Sequence, residues 1–195
     1  MIKSPVDFIM SISQAMKFPV PRNTQNATWN DEYTYFNKLW TDTKLMGQVI
    51  SELPDVSGWK AYYQDPLYYR HWINAVSLQE RKAWINKFIQ SGISINNFQN
   101  LKIPVLGFID VLSDPRDINK LLEDLISYLF SYPLTPSQIN YLKDLILNGL
   151  PEYEWTDEYD NYLANKNNNV IVDAIDAKVR KLFIAMMNLP EFLIH

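Results

Sequence analysis

The sequence predicts an all-α fold, an irregular multi-helix bundle of about seven to nine helices with a long aromatic-rich loop. Apolar residues recur at helical spacing, most clearly between Ile118 and Phe130. Helix-capping residues precede several of these periodic segments. No stretch of useful length alternates between apolar and polar residues as a half-buried strand does. We expect residues 1–195 to form a single all-α domain.

The first two helices are predicted from capping and turn residues. The Ser4 hydroxyl can accept hydrogen bonds from free backbone amides and Pro5 suits the first helical position, so a helix should begin there and end before Pro19. The stretch 18–30 is rich in proline and asparagine and is predicted to be a loop. A second helical pattern follows over residues 29–47 and ends at a glycine.

Two later segments have the spacing of a capping box, in which two side chains satisfy each other's backbone amides. The segment 77–80 predicts the start of a helix that Gly92 should end, and the segment 135–138 predicts the start of another that Gly149 should end. A short apolar helix is expected within 104–112.

The clearest helices are the two with a regular apolar stripe. The first spans residues 118–130, and its opposite face is polar. The last is predicted over residues 170–187, with acidic residues before basic ones, as the helix dipole prefers. Its expected buried positions are Ile171, Ile175, Val179, Leu182 and Met186.

Composition argues against several classes of function. The formal net charge is −4 and the basic residues are scattered, which disfavours a nucleic-acid partner because phosphate backbones bind concentrated positive charge. Cysteine is absent, which removes disulfides, thiolate metal sites and cysteine nucleophiles. The five glycines lie at least eleven residues apart, so no glycine-rich phosphate-binding loop is present. No apolar run approaches the length of about 18 residues that marks a membrane span. We also expect no bound cofactor.

Candidate catalytic groups are few. A zinc site would have to use His71 or His195 with several carboxylates, so we expect no metal and a His71 that packs or forms a hydrogen bond. A serine triad would also depend on His71, and no spacing identifies its partners. Glu52 and Asp55 would suit glycoside hydrolysis if they faced each other across a cleft at about 5 to 10 Å. The acidic segment 152–160 lacks the pattern of a calcium loop and is predicted to be solvated surface.

The most unusual segment lies between Trp59 and Trp72, where six tryptophans and tyrosines fall within fourteen residues. Large rings can hold an irregular loop against neighbouring helices, and this packing role is the favoured interpretation. The same rings can stack on sugars or anchor a protein partner. The candidate binding residues are Trp59, Tyr62, Tyr63, Arg70 and Trp72.

Six short segments occur in an order that resembles a known family pattern over nearly the whole chain. They are Ser4-Pro5-Val6, Met46-Gly47-Gln48, the segment 54–59 (Pro-Asp-Val-Ser-Gly-Trp), Trp72-Ile73-Asn74, the segment 78–81 (Leu-Gln-Glu-Arg) and the segment 189–192 (Leu-Pro-Glu-Phe). The pattern is similar to the C-terminal part of the family called domain of unknown function 1800.

The resemblance implies a bacterial protein that is usually exported, and therefore a periplasmic or extracellular location. It also implies a longer parent protein with an N-terminal half that precedes this chain. Many relatives have a glycine-rich turn where this chain has Lys-Ala-Tyr-Tyr-Gln at 60–64. The resemblance implies no established activity, cofactor or catalytic residue.

Two hypotheses from different classes remain open. In the first, the chain is a helical accessory or interaction module of an exported protein, and the aromatic loop docks the N-terminal half or another protein. In the second, the loop 59–72 binds or hydrolyses a glycan. Whether the chain is an enzyme is left open by the sequence.

Overall fold

The computed structural model of the protein describes residues 2–22, 28–52, 72–95 and 98–194. Within these ranges the chain forms eight α-helices and one short antiparallel strand pair, which confirms the predicted all-α multi-helix fold. The helices are α1 (Pro5–Ala15), α2 (Trp29–Leu45), α3 (Ala75–Asn86), α4 (Val105–Ile109), α5 (Ile118–Leu129), α6 (Pro136–Leu147), α7 (Glu152–Ala164) and α8 (Asn169–Met187). The strands are β1 (Ile93–Ile95) and β2 (Phe98–Leu101).

The chain divides into two compact units. The first comprises Met1–Ile103 with Leu193–His195, and the second comprises Pro104–Phe192. Helices α1 to α3 and the strand pair belong to the first unit, and helices α4 to α8 belong to the second. The expectation of a single domain stays a prediction.

Capping residues define where the first two helices begin. The Ser4 side chain accepts a hydrogen bond from the backbone N–H of Asp7, as predicted. Thr28 and Asp31 form a reciprocal capping box at the start of α2. Gly47 follows the end of α2 with a φ of +95°, a conformation that favours glycine. Both helices therefore lie where the sequence predicts them.

The predicted start of α3 is wrong by about one helical turn. Asn74 is the N-cap, and its side chain accepts from the backbone N–H of Ser77, while Ser77 Oγ accepts from the backbone N–H of Asn74. Ser77 thus occupies the third helical position rather than the cap. The error arises because asparagine and serine are both good caps, and the Ser-x-x-Glu spacing favoured the later residue.

A turn of π-helix, Lys87–Ser91, extends α3 to Gly92, which ends it as predicted. Gly92 has a φ of +79°, and a Cβ there would lie 2.7 Å from the carbonyl oxygen of Leu101. The residue after it begins β1, in which Ile93 pairs with Leu101. A strand of three residues is too short to show the alternation that identifies strands from sequence.

Five aromatic rings in contact form the centre of the first unit. In order they are Phe8, Trp84, Phe88, Phe18 and Tyr35, and we refer to them as the aromatic chain. Neighbouring ring centroids lie 5.8, 4.4, 4.6 and 5.7 Å apart. All five side chains are buried. Because they come from α1, α3 and its π turn, the loop after α1, and α2, this row fixes the three helices against one another.

The second unit is built on the two apolar stripes that the sequence predicts. Helix α5 buries Ile118, Leu121, Leu122, Leu125 and Leu129. Helix α8 packs against α4, α6 and α7 and buries four of its five predicted positions, while Ile171 is partly exposed. The exception lies in the first turn of α8, which begins at Asn169.

The corrected start of α3 can be tested with Asn74→Ala. We expect this change to lower the free energy of unfolding by about 1 kcal/mol, because it removes the N-cap acceptor, and Asn74→Asp to retain most of the stability. Chemical denaturation monitored by circular dichroism measures both variants. An Asn74→Ala variant as stable as the parent chain would favour the later start at Ser77.

Candidate functional site

Helix α2 has aromatic or apolar residues on two faces, about 110° apart around the helix axis. One face is buried and carries Tyr35 and Leu39. The other carries Trp29, Tyr33, Phe36 and Trp40, which we call the α2 aromatic face. At about 100° per residue these four positions fall within an arc of about 60°. Trp29 is 76% exposed, Tyr33 69% and Phe36 41%, and Trp40 is partly exposed. Large rings concentrated on one exposed helix face are typical of an interaction site.

Two cations lie over rings of this face. The guanidinium carbon of Arg22 is 5.6 Å from the ring centroid of Phe36, and Lys44 Nζ is 5.2 Å from that of Trp40. Arg22 also forms an ion pair with Glu32 at 2.8 Å. The cations cover part of two rings and leave Trp29 and Tyr33 open to solvent.

The buried side of α2 fixes the direction in which the aromatic face points. Tyr35 stacks on Phe18 with ring planes 11° apart, at one end of the aromatic chain. Burial raises the pKa of Tyr35 to about 12, so its hydroxyl stays neutral at physiological pH. Because Tyr35 and Leu39 cannot leave the core without losing these contacts, the α2 aromatic face, about 110° further around the helix axis, remains exposed.

A second cluster centres on Asp110 in the second unit. Its Oδ1 accepts from the Tyr159 hydroxyl at 2.6 Å, and its Oδ2 accepts from the Tyr162 hydroxyl at 3.1 Å and from Lys166 Nζ at 2.7 Å. Burial acts to raise the pKa of Asp110, but these three donors together outweigh it and hold the pKa below its ordinary value. Burial and the neighbouring carboxylate raise the pKa of Tyr159.

The arrangement around Asp110 favours a structural role. Both oxygens of the carboxylate already accept hydrogen bonds, and the group is ionised, so it is poorly placed to take a proton from a substrate. The cluster instead ties the residue that follows α4 to α7 and to Lys166. The sequence gives little indication of this cluster, because Asp110 lies about fifty positions from its hydrogen-bond partners.

Most of the binding residues proposed from the sequence lie outside the described ranges. These are Trp59, Tyr62, Tyr63 and Arg70, and the same holds for Asp55 and for both histidines. Trp72 is described and is 4% exposed, and its carbonyl oxygen accepts a hydrogen bond from Ser77 Oγ. A binding role for the aromatic loop stays a prediction.

The acidic segment forms the exposed side of α7. Glu152 accepts from Lys143 Nζ at 2.7 Å and from Asn119 Nδ2 at 2.8 Å, and Asp160 pairs with Arg116 at 2.5 Å. These carboxylates are satisfied by neighbouring donors at the surface, in agreement with the prediction. Over the ranges that the structure describes, no cluster of three or more histidine, aspartate or glutamate side chains suits a metal ion.

Three of the segments that carry the family resemblance meet around the start of α1. The backbone N–H of Val6 donates to Gln48 Oε1 at 3.0 Å, and Arg81 Nη2 donates to the carbonyl oxygen of Lys3 at 2.8 Å. The Lys3 backbone N–H in turn donates to the carbonyl oxygen of Leu193 at 2.8 Å. The structure thus brings together segments that are far apart in the sequence.

The family described as "Protein of unknown function (DUF1800)" matches residues 1–194. The chain belongs to this family. The match confirms the resemblance, and the family description assigns no activity. No curated protein and no solved structure matches the chain. In the described part of this family member, none of the helices has the length and apolar character needed to cross a membrane.

The Asp110 cluster predicts a pH-dependent loss of stability. Because the pKa of Asp110 is lowered on folding, its contribution is present above the unfolded pKa of about 4 and is lost as the pH falls through the lower folded value. We expect Asp110→Asn to lower the free energy of unfolding at pH 7 by about 1–2 kcal/mol and to change it much less at pH 2.

Urea denaturation at pH 7 and at pH 2 measures this difference, and Asp160→Asn is the matched control. Asp160 forms an exposed pair with Arg116, for which we expect an effect of about 0.5 kcal/mol or less. Equal losses for Asp110→Asn at both pH values would contradict the proposed role of the carboxylate.

Proposed function

We propose that this chain is a protein-interaction module that self-associates through the α2 aromatic face, with a second copy of the chain as the partner. The exposure of Trp29, Tyr33 and Phe36 on a helix that Tyr35 and Leu39 anchor in the core carries the proposal. Exposed aromatic rings at the centre of an apolar surface supply much of the binding energy of protein interfaces. A rigid helix presents them with little loss of conformational entropy on binding.

The spacing of the four residues favours a helix as the partner. Trp29, Tyr33, Phe36 and Trp40 are separated by four, three and four positions. Alternating steps of three and four keep a stripe facing one neighbouring helix, as in coiled coils. A helix of the partner can therefore lie along the whole stripe, whereas a compact ligand would contact only one or two rings.

The same spacing is self-complementary. The order four, three, four reads identically in both directions along the helix, so a two-fold axis can pass between Tyr33 and Phe36. In an antiparallel pair, Trp29 then lies opposite Trp40 of the second copy, and Tyr33 lies opposite Phe36 of the second copy. One surface thus serves both partners, as a closed dimer requires.

Charge favours the antiparallel direction. Helix α2 carries Glu32 in its first turn and Lys44 in its last turn. An antiparallel pair brings the acidic end of one helix towards the basic end of the other and opposes the two helix dipoles. A parallel pair would place like charges side by side.

This proposal retains the interaction-module hypothesis and assigns it to a different surface. Docking or glycan binding by the loop 59–72 stays a prediction, since four of its five candidate residues lie outside the described ranges. The family resemblance supports export, and we include a periplasmic or extracellular location in the proposal on that basis alone.

Sedimentation velocity over a range of concentrations tests the dimer. We expect the parent chain to form dimers. The double change Tyr33→Ser, Phe36→Ser should raise the dissociation constant of the dimer at least about 30-fold, because each ring is a central contact. The matched control is Tyr141→Ser, Tyr153→Ser, which removes two exposed tyrosines from the second unit.

Circular dichroism verifies that each variant is folded. A parent chain that remains monomeric at high micromolar concentration would contradict self-association, as would equal weakening by the control pair. Glycan binding at this face would also overturn the dimer. It would be indicated by a monomeric parent chain whose tryptophan fluorescence responds to oligosaccharides, if the Tyr33→Ser, Phe36→Ser variant lacks that response.

A further inference from the structure

Arg81 is a deeply buried charged side chain of the first unit, with an exposed fraction of 1%. It lies on α3, and its Nη2 donates to the carbonyl oxygen of Lys3 at 2.8 Å. The guanidinium carbon lies 4.8 Å from the ring centroid of Phe8, the first ring of the aromatic chain. Nε and Nη1 are also buried, and neither has a hydrogen-bond partner among the residues that the structure describes.

Among the residues that the structure describes, the surroundings of Arg81 add positive charge. Lys3 is buried beside it, and burial followed by the charge of Arg81 lowers the pKa of the Lys3 ammonium, which Asp7 only partly offsets. Burial lowers the pKa of Arg81 to about 10, and no carboxylate among the described residues counteracts this shift. The ring of Phe8 offsets part of the cost of burial, but it cannot accept the hydrogens of Nε and Nη1 in the guanidinium plane.

Buried guanidinium groups are normally paired with an anion, because desolvating a charge without compensation is strongly unfavourable. A guanidinium offers two edges to a bidentate oxyanion, one formed by Nε and Nη2 and the other by Nη1 and Nη2. Each edge includes one of the two nitrogens that lack a partner here. An oxyanion on either edge would therefore satisfy a buried donor and balance the local positive charge.

We propose that Arg81 is the receptor for an oxyanion, the carboxylate or phosphate group of a small ligand, with the positive charge of Lys3 contributing to the attraction. The two oxygens of such a group match the planar fork of the guanidinium. Because the nitrogens are shielded from solvent, the ligand enters through a local opening of the first unit. This site does not depend on the dimer proposed above.

Thermal unfolding in inorganic phosphate and in acetate, with sodium chloride at matched ionic strength as the reference, tests this site. Samples are equilibrated with the anion before heating. We expect a saturable rise in the melting temperature of about 3 °C or more at ten times the dissociation constant. Arg81→Met should abolish the rise, and Arg116→Met, which removes an exposed arginine of the second unit, should retain it.

A second measurement does not depend on the stability of the Arg81→Met variant. In the parent chain labelled with ¹⁵N, one arginine Nε–H resonance should shift saturably with phosphate, and only that resonance should be missing in Arg81→Lys. Absence of a saturable shift in the parent chain would overturn the proposal. Binding that appears only in Asp55→Asn or Asp65→Asn would also overturn it, because a carboxylate of the chain itself would then occupy Arg81.

Discussion

The row of five packed rings in the aromatic chain is the interaction on which the rest of the first unit depends. Each of α1, α2 and α3 contributes to it, so the three helices cannot turn about their own axes without breaking a ring contact. Phe8 at one end supports the guanidinium of Arg81, and Tyr35 at the other end orients α2. Both proposed sites therefore depend on the same core.

Asp110 of the second unit and Arg81 of the first differ in how far the neighbouring described residues compensate their charges. In the second unit Asp110 is surrounded by three donors, the buried Trp155 donates its Nε1–H to the carbonyl oxygen of Pro115 at 2.8 Å, and Arg180 pairs with Asp176. In the first unit apolar rings face water on α2, while the Arg81 charge is buried with two donors unsatisfied. Such departures from ordinary residue placement concentrate at functional sites, and for this reason both proposals concern the first unit.

The sequence predicts those features of the fold that are set by residues close together in the chain. The caps at Ser4 and Thr135 and the apolar stripe of α5 follow from residues within one or two turns, and all three are present. The short strand pair and the cap at Asn74 were missed because each gives a weak or competing local signal. Helix α7 was also missed, because its residues were predicted only as an acidic surface, and the other helix boundaries differ from the predicted ones by a few residues.

The candidate sites were not predictable for a different reason. Helix α2 has large apolar side chains on both faces, so periodicity alone cannot decide whether Tyr35 or Tyr33 enters the core. The burial of Arg81 depends on Phe8 and Lys3, which lie more than seventy residues away in the sequence. Only the packed structure shows which ring is exposed and which charge is buried.

The antiparallel pairing of two α2 aromatic faces is the central claim, and distances between spin labels test it most directly. The chain contains no cysteine, so Asn37→Cys and Thr41→Cys, both at exposed positions, each provide one labelling site per subunit. With a rise of about 1.5 Å per residue, an axis between Tyr33 and Phe36 separates the two copies of position 37 by about 8 Å along the helix and those of position 41 by about 20 Å. A label separation much longer at 41 than at 37 is the predicted result. Equal separations, or no dipolar coupling between subunits, would contradict the account.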